Sequence, residues 1–191
     1  RRPGLAPPSG TLHAWGYGIL SRALGRRPQV ADELTVRSIV QELIPAKQRR
    51  VNTDPLQPYL DGLSLIRLGL RSPEAVEDSL DDVTGLADAF VPFRERLRAK
   101  GVIDFDEQVF GAVEALLADG ELRRAVQAQH RHVLVDELQD LTPAHVLLIR
   151  LAAGPAAAVV GGGADDQEMS GHVGAGPRVW IEAVDYVPGR A

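Results

Sequence analysis

The sequence predicts an α/β protein in which a strand–helix–strand unit is joined to a long all-helical stretch. Three observations carry this. Two short apolar runs, His132-Val133-Leu134-Val135, which is rich in β-branched residues, and 156–160, flank a helical segment opened by Thr142-Pro143. Residues 28–100 hold four segments of helical periodicity, with Pro and Gly between them and no convincing strand. The first apolar run ends in Asp136-Glu137, so two adjacent carboxylates fall at the C-terminal edge of a strand. That edge is where open α/β sheets bind ligands.

Taken in order, residues 1–10 are rich in Pro and Gly and read as loop. Thr11 opens an apolar-periodic stretch through Trp15, Ile19, Leu20 and Leu24, a helix with Thr11 as N-cap and an end near Gly25. The segments 33–44, 58–70, 73–80 and 83–100 follow as helices. Asp104 is placed to cap the next helix, with Glu107 three residues on to complete a capping box. Its apolar face is expected to hold Phe105, Val109, Val113 and Leu116, widened by Phe110 and Leu117. A short helix over 121–129 leads into the strand 132–135. Thr142 caps and Pro143 begins a helix that runs to Gly154. The strand 156–160 then enters Gly161-Gly162-Gly163. Together these make a right-handed βαβ unit with both strands buried.

With 191 residues, 45% hydrophobic and 25% charged, the chain is long enough for one domain, or one domain plus a small insertion. It has no cysteine, which removes disulfides, zinc–thiolate sites and thiol catalysis and fits a reducing cytosol. No apolar run approaches the ~18–20 residues needed to span a bilayer, and no signal-peptide hydrophobic region follows the N-terminus. The chain begins with Arg1 and its one methionine is Met169, so a piece of a longer protein is expected. Net charge is −5, yet residues 1–50 balance at +6 and residues 51–191 at −11. Such asymmetry suits a cationic groove at one end and an acidic, metal-dependent site at the other; an ordinary solvated surface is the plainer alternative.

The sharpest chemical signal is Val135-Asp136-Glu137-Leu138-Gln139-Asp140. A carboxylate at a strand end can hold Mg²⁺ directly or through water, because that ion prefers hard oxygen ligands. The next carboxylate can orient and deprotonate an attacking water. Two acids that merely terminate a strand are the competing explanation, and the Gln139-Asp140 continuation weighs against it. His130, His132, His145 and His172 show no metal-ligand spacing.

This hexapeptide closely resembles motif II of the UvrD/Rep family of superfamily 1 DNA helicases, written VDEFQD. Other segments resemble the family in the same order. Thr11-Leu12-His13-Ala14-Trp15, followed by Ile19-Leu20, is similar to its TFHS segment. Ile103-Asp104-Phe105-Asp106 is similar to the segment preceding motif II. Gly163-Ala164-Asp165-Asp166-Gln167 with Gly171 and Gly174-Ala175 resembles motif III, GDxxQxIYxFRGA. The likeness covers residues 11–26 and 101–191 in detail.

The resemblance implies an incomplete RecA-like P-loop NTPase parallel sheet interrupted by an all-helical insertion subdomain. Residues 1–27 and 101–191 would be the first motor domain and 28–100 the insertion. It implies ATP and Mg²⁺ as cofactors, single-stranded or partly duplex DNA as partner, and a cytoplasmic, nucleoid-associated protein. Asp136 would bind Mg²⁺ and Glu137 would be the general base. Gln139 and Asp140 would complete the nucleotide side, and Gln167 would sense the γ-phosphate. Thr11, His13, Ser170 and His172 would lie along the single strand, and Gly161-Gly162-Gly163 becomes a strand-to-loop turn rather than a phosphate nest.

The departures are specific. Ala164 stands where motif III carries Asp, Ser170 where a Tyr stacks on a base, His172 at the next aromatic and Val173 at the Arg. Base stacking is worth roughly 1–3 kcal/mol per base, so these changes should weaken the grip on DNA. No GxxxxGK followed by Ser or Thr occurs in the sequence. The resemblance places that loop upstream of residue 11 and the second motor domain beyond residue 191. The missing motor segments of the same parent are therefore expected partners, and the chain alone is expected to lack ATPase activity. A degenerate helicase-like module that binds DNA or a protein without catalysis is the alternative.

Overall fold

A computed structural model describes residues 9–44, 54–155 and 157–162. The protein is α/β, mostly helical with short parallel strands. The order is α1 (Leu12–Ala23), β1 (Gln29–Val30), α2 (Glu33–Leu43), α3 (Gln57–Leu68), α4 (Pro73–Ser79), α5 (Leu86–Ala99), β2 (Val102–Ile103), α6 (Phe105–Ala118), α7 (Gly120–Gln127), β3 (His132–Val135), a 3₁₀ turn at Leu138–Asp140, α8 (Pro143–Ala153) and β4 (Ala158–Gly161). Polar side chains start many of the helices. Thr11 Oγ1 accepts the Ala14 N–H at 3.1 Å, Asp32 Oδ1 accepts that of Thr35 at 2.8 Å, and Asp104 Oδ1 accepts that of Glu107 at 2.9 Å.

Three expectations are corrected. The periodicity of 28–100 predicts no strand, yet β1 pairs in parallel with β2, Gln29 opposite Val102 and Val30 opposite Ile103. A two-residue strand leaves no alternating pattern to read, and a distant partner on the far side of α2–α5 creates it. The spacing of Glu107 from Asp104 predicts a completed capping box on α6. The Glu107 carboxylate instead takes two donors from Arg94, at 2.6 and 3.1 Å. The apolar runs of the βαβ unit predict two buried strands. These pair in parallel from His132–Ala158 to Val135–Gly161, but Leu134 is 77% exposed and β4 is exposed throughout. Val135 packs with Leu141, Val146 and Ile149 beneath α8; on the other face no layer among the described residues covers the ribbon.

Packing separates into two principal cores. Ile39, Leu63, Val76, Leu86, Phe93 and Leu97 close one within α2–α5. Ile19, Leu20, Val109, Val113, Leu116 and Leu148 form the other, where α1, α6 and α8 meet. Between them runs a buried ionic network. The Arg67 guanidinium on α3 donates to both Asp104 oxygens at 2.6 and 2.7 Å and to Asp106 at 3.1 Å, while its Nε donates to the Leu63 carbonyl. Arg94 on α5 clamps Glu107 and reaches Glu114 at 2.9 Å. Helices α3 and α5 are thereby tied to the start of α6.

Candidate functional site

Strand β3 delivers Asp136 and Glu137 to its C-terminal end, where both are exposed. Glu137 adopts a left-handed backbone, φ 53° and ψ 51°, which costs strain for a residue with a Cβ. Local bonds hold it there. The Glu137 N–H donates to Asp136 Oδ1 at 3.0 Å, and the Asp140 N–H donates to the Glu137 carbonyl at 3.0 Å. The Gln139 carboxamide donates through Nε2 to Glu137 Oε2.

The turn is also stitched to β4. The Gly162 N–H donates to the Val135 carbonyl at 2.9 Å, and the Leu138 N–H donates to the Gly162 carbonyl at 3.2 Å. The Leu138 side chain lies over Gly161 so closely that a Cβ there would meet its carbons at 2.5–2.9 Å. The glycine at 161 thus makes room for Leu138. This contact joins residues 23 apart, so the sequence displays the glycines but not what they accommodate.

The described residues hold no group of three or more His, Asp or Glu able to enclose a metal ion. Two exposed carboxylates at one strand end still fit Mg²⁺ of a particular kind. That ion dehydrates reluctantly and is commonly held by one or two carboxylates together with substrate phosphates and water. The pair offers such a cation one or two carboxylates.

At the N-terminus of α1, Thr11 is exposed and its hydroxyl serves as the helix cap. His13 turns inward. Its ring stacks on Phe105 with centroids 3.8 Å apart and 18° between planes, and meets His145 edge-on at 5.1 Å. Burial lowers the His13 pKa, with the Asp106 carboxylate opposing the shift. Phe105, expected on the core face of α6, is 59% exposed because the His13 ring covers just one side of it. Gln167, Ser170 and His172, with the rest of the motif III segment, lie outside the described residues. The structure thus brings Asp136, Glu137, Gln139 and Asp140 together on one turn, and at the start of α1 leaves Thr11 exposed while His13 faces α6 and α8.

The parallel β3–β4 pair, with acids and glycines at its C-terminal end, belongs to an α/β chain that is mostly helical with short parallel strands. The UvrD/REP helicase N-terminal domain matches residues 6–183, and the chain belongs to that family. Among its relatives, the ATP-dependent DNA helicase UvrD1 of Mycobacterium tuberculosis is 36% identical over 78 residues, which is 41% of this chain and 10% of that protein. The ATP-dependent DNA helicase Rep of Escherichia coli is 27% identical over 177 residues, 88% of this chain and 26% of Rep. The ATP-dependent DNA helicase PcrA of Staphylococcus epidermidis is 21% identical over 174 residues, 86% of this chain and 24% of PcrA. The matched regions are therefore no more than 26% of these relatives' length. Among the described residues no helix is long and apolar enough to cross a membrane.

Proposed function

We propose that this chain is the catalytic-carboxylate and DNA-facing portion of the first motor domain of an ATP-dependent DNA helicase, a RecA-like sheet with 28–100 as its helical insertion. The observation that carries the reading is the Asp136–Glu137 pair, presented at the end of β3 on a strained turn. Backbone strain of this kind clusters at functional sites, which favours a working pair over one that merely ends a strand.

In this reading Asp136 binds Mg²⁺, which when bound neutralises the charge of the ATP phosphates. Gln139 fixes one oxygen of Glu137 by its hydrogen bond, leaving Oε1 to accept a proton from the attacking water. Asp140 braces the turn through its backbone bond to Glu137. Gln167 reports on the γ-phosphate. Thr11, His13, Ser170 and His172 follow single-stranded or partly duplex DNA, and the remaining motor segments of the parent supply the phosphate-binding loop. The setting is cytoplasmic and nucleoid-associated.

A second reading has a specific observation in its favour. Ala164, Ser170 and Val173 replace the motif III residues that would link nucleotide to DNA, which suits a degenerate module that binds DNA or a protein without turnover. Fluorescence anisotropy of a labelled oligothymidylate separates the two, using the native gene product that contains this chain. The helicase reading predicts salt-sensitive binding whose affinity changes several-fold with Mg²⁺ and ATP. Binding indifferent to nucleotide supports the degenerate module, and no binding to DNA at any salt rejects the helicase reading.

A further inference from the structure

Three helix starts meet at one point. His13 is the second residue of α1, Phe105 the first of α6 and His145 the third of α8, and their rings form a continuous stack and edge contact. His145 is 7% exposed. Its Nδ1 accepts the backbone N–H of Thr142 at 3.2 Å and lies 2.9 Å from the Thr142 hydroxyl. An accepting Nδ1 carries no proton, so the neutral ring holds its hydrogen on Nε2. That Nε2 is buried and finds no partner among the described residues, and neither does the Nε2 of His13.

From this geometry we infer that His13, Phe105 and His145 form a proton-sensitive clasp, closed while both imidazoles are neutral and opened when His145 takes up a proton. Protonation at Nδ1 removes the acceptor of the Thr142 N–H, one half of the capping box of α8. It also places a cation among three helix N-termini, whose dipoles disfavour positive charge. The surrounding groups offer little relief. From α1 come Thr11 and His13, and from α8 Thr142. From α6 come Phe105, Asp106 and the cap Asp104, whose carboxylates are engaged by Arg67 of α3. Opening releases the start of α1, where Thr11 and His13 lie, and loosens the helix that follows the Asp136–Asp140 turn. The clasp stands whether or not α1 touches nucleic acid.

Burial, with a smaller contribution from His13, pushes the His145 pKa down to about 4 from an ordinary 6.5. The unfolded chain therefore binds a proton near pH 6.5 that the folded chain refuses until near pH 4. The contribution of His145 to stability is complete above pH 6.5, falls as pH drops through this window and levels off below it. A shift of this size lowers the folded-to-unfolded ratio by roughly 10²–10³-fold.

The test uses the chain itself. Imidazole ¹⁵N spectra should show His145 as the Nε2–H tautomer at pH 7, titrating near pH 4. Denaturant melts from pH 7 to pH 4 should lose less stability in His145→Gln than in wild type, because Gln can accept the same capping bond without titrating. An Nδ1–H tautomer, a midpoint near 6.5, or the same pH slope in both proteins overturns the clasp. Should the variant fail to fold, the wild-type spectra decide the question alone.

Discussion

Replacing Arg67 with alanine should destabilise the protein by about 3–5 kcal/mol, the range for breaking a buried ion pair by removing one partner. Arg67 is 2% exposed and holds Asp104 through both oxygens, with Asp106 alongside. Without it, two carboxylates at the start of α6 lose their counter-charge in a site from which water is largely excluded. The lost packing of the guanidinium over the Phe93 ring, 5.4 Å from its centroid, adds to the cost. The penalty lies in the stranded charge more than in the lost bonds, and that distinction is measurable. Arg67→Met combined with Asp104→Asn and Asp106→Asn removes all three charges, while the amide introduced at position 104 can still cap the helix. Urea melts should show this triple variant well above Arg67→Ala in stability. Equal stabilities would mean the charges are not what the network is for.

Gly16→Ala should cost about 1–3 kcal/mol by overpacking, although alanine is the better helix former. A Cβ at residue 16 would meet the Gln108 carbonyl oxygen at 2.3 Å and the Val109 Cα at 3.3 Å. These are backbone atoms of α6 and cannot rotate away, so α1 and α6 must separate. Gly18, two residues on, meets nothing within 4 Å and is exposed. Gly18→Ala should therefore gain up to about 1 kcal/mol. Opposite signs for two like substitutions in one helix would establish that α1 is seated on α6 at Gly16. The separation would also draw His13 off the Phe105 ring.

Local chemistry and the parallel pairing of the βαβ unit were legible in the sequence, and the longer-range contacts were not. Thr11, Asp104 and Thr142 announce helix starts because a cap acts on residues within the next turn. The strand 132–135 and its acidic end read directly from a short apolar run followed by Asp136-Glu137. By contrast, β1 exists because Val102 and Ile103 return to it across four helices. Arg67 looks like any helical surface arginine until Asp104 and Asp106 arrive 37 and 39 residues later. The turn at Glu137 is stitched to β4 through Leu138, which lies over Gly161 and donates to the Gly162 carbonyl, and the inward facing of His13 rests on Phe105 and His145. The family resemblance named the residues of the acidic turn without giving the contacts that hold them.

The most direct test of the account is ATP turnover by the native gene product containing this chain, measured in Mg²⁺ with single-stranded DNA, for wild type and Glu137→Gln. If Glu137 is the base, the variant should bind ATP within a few-fold of wild type while turnover falls by roughly 10²–10⁴-fold. Turnover unchanged by the substitution would contradict the assignment of the β3 turn as the site of hydrolysis.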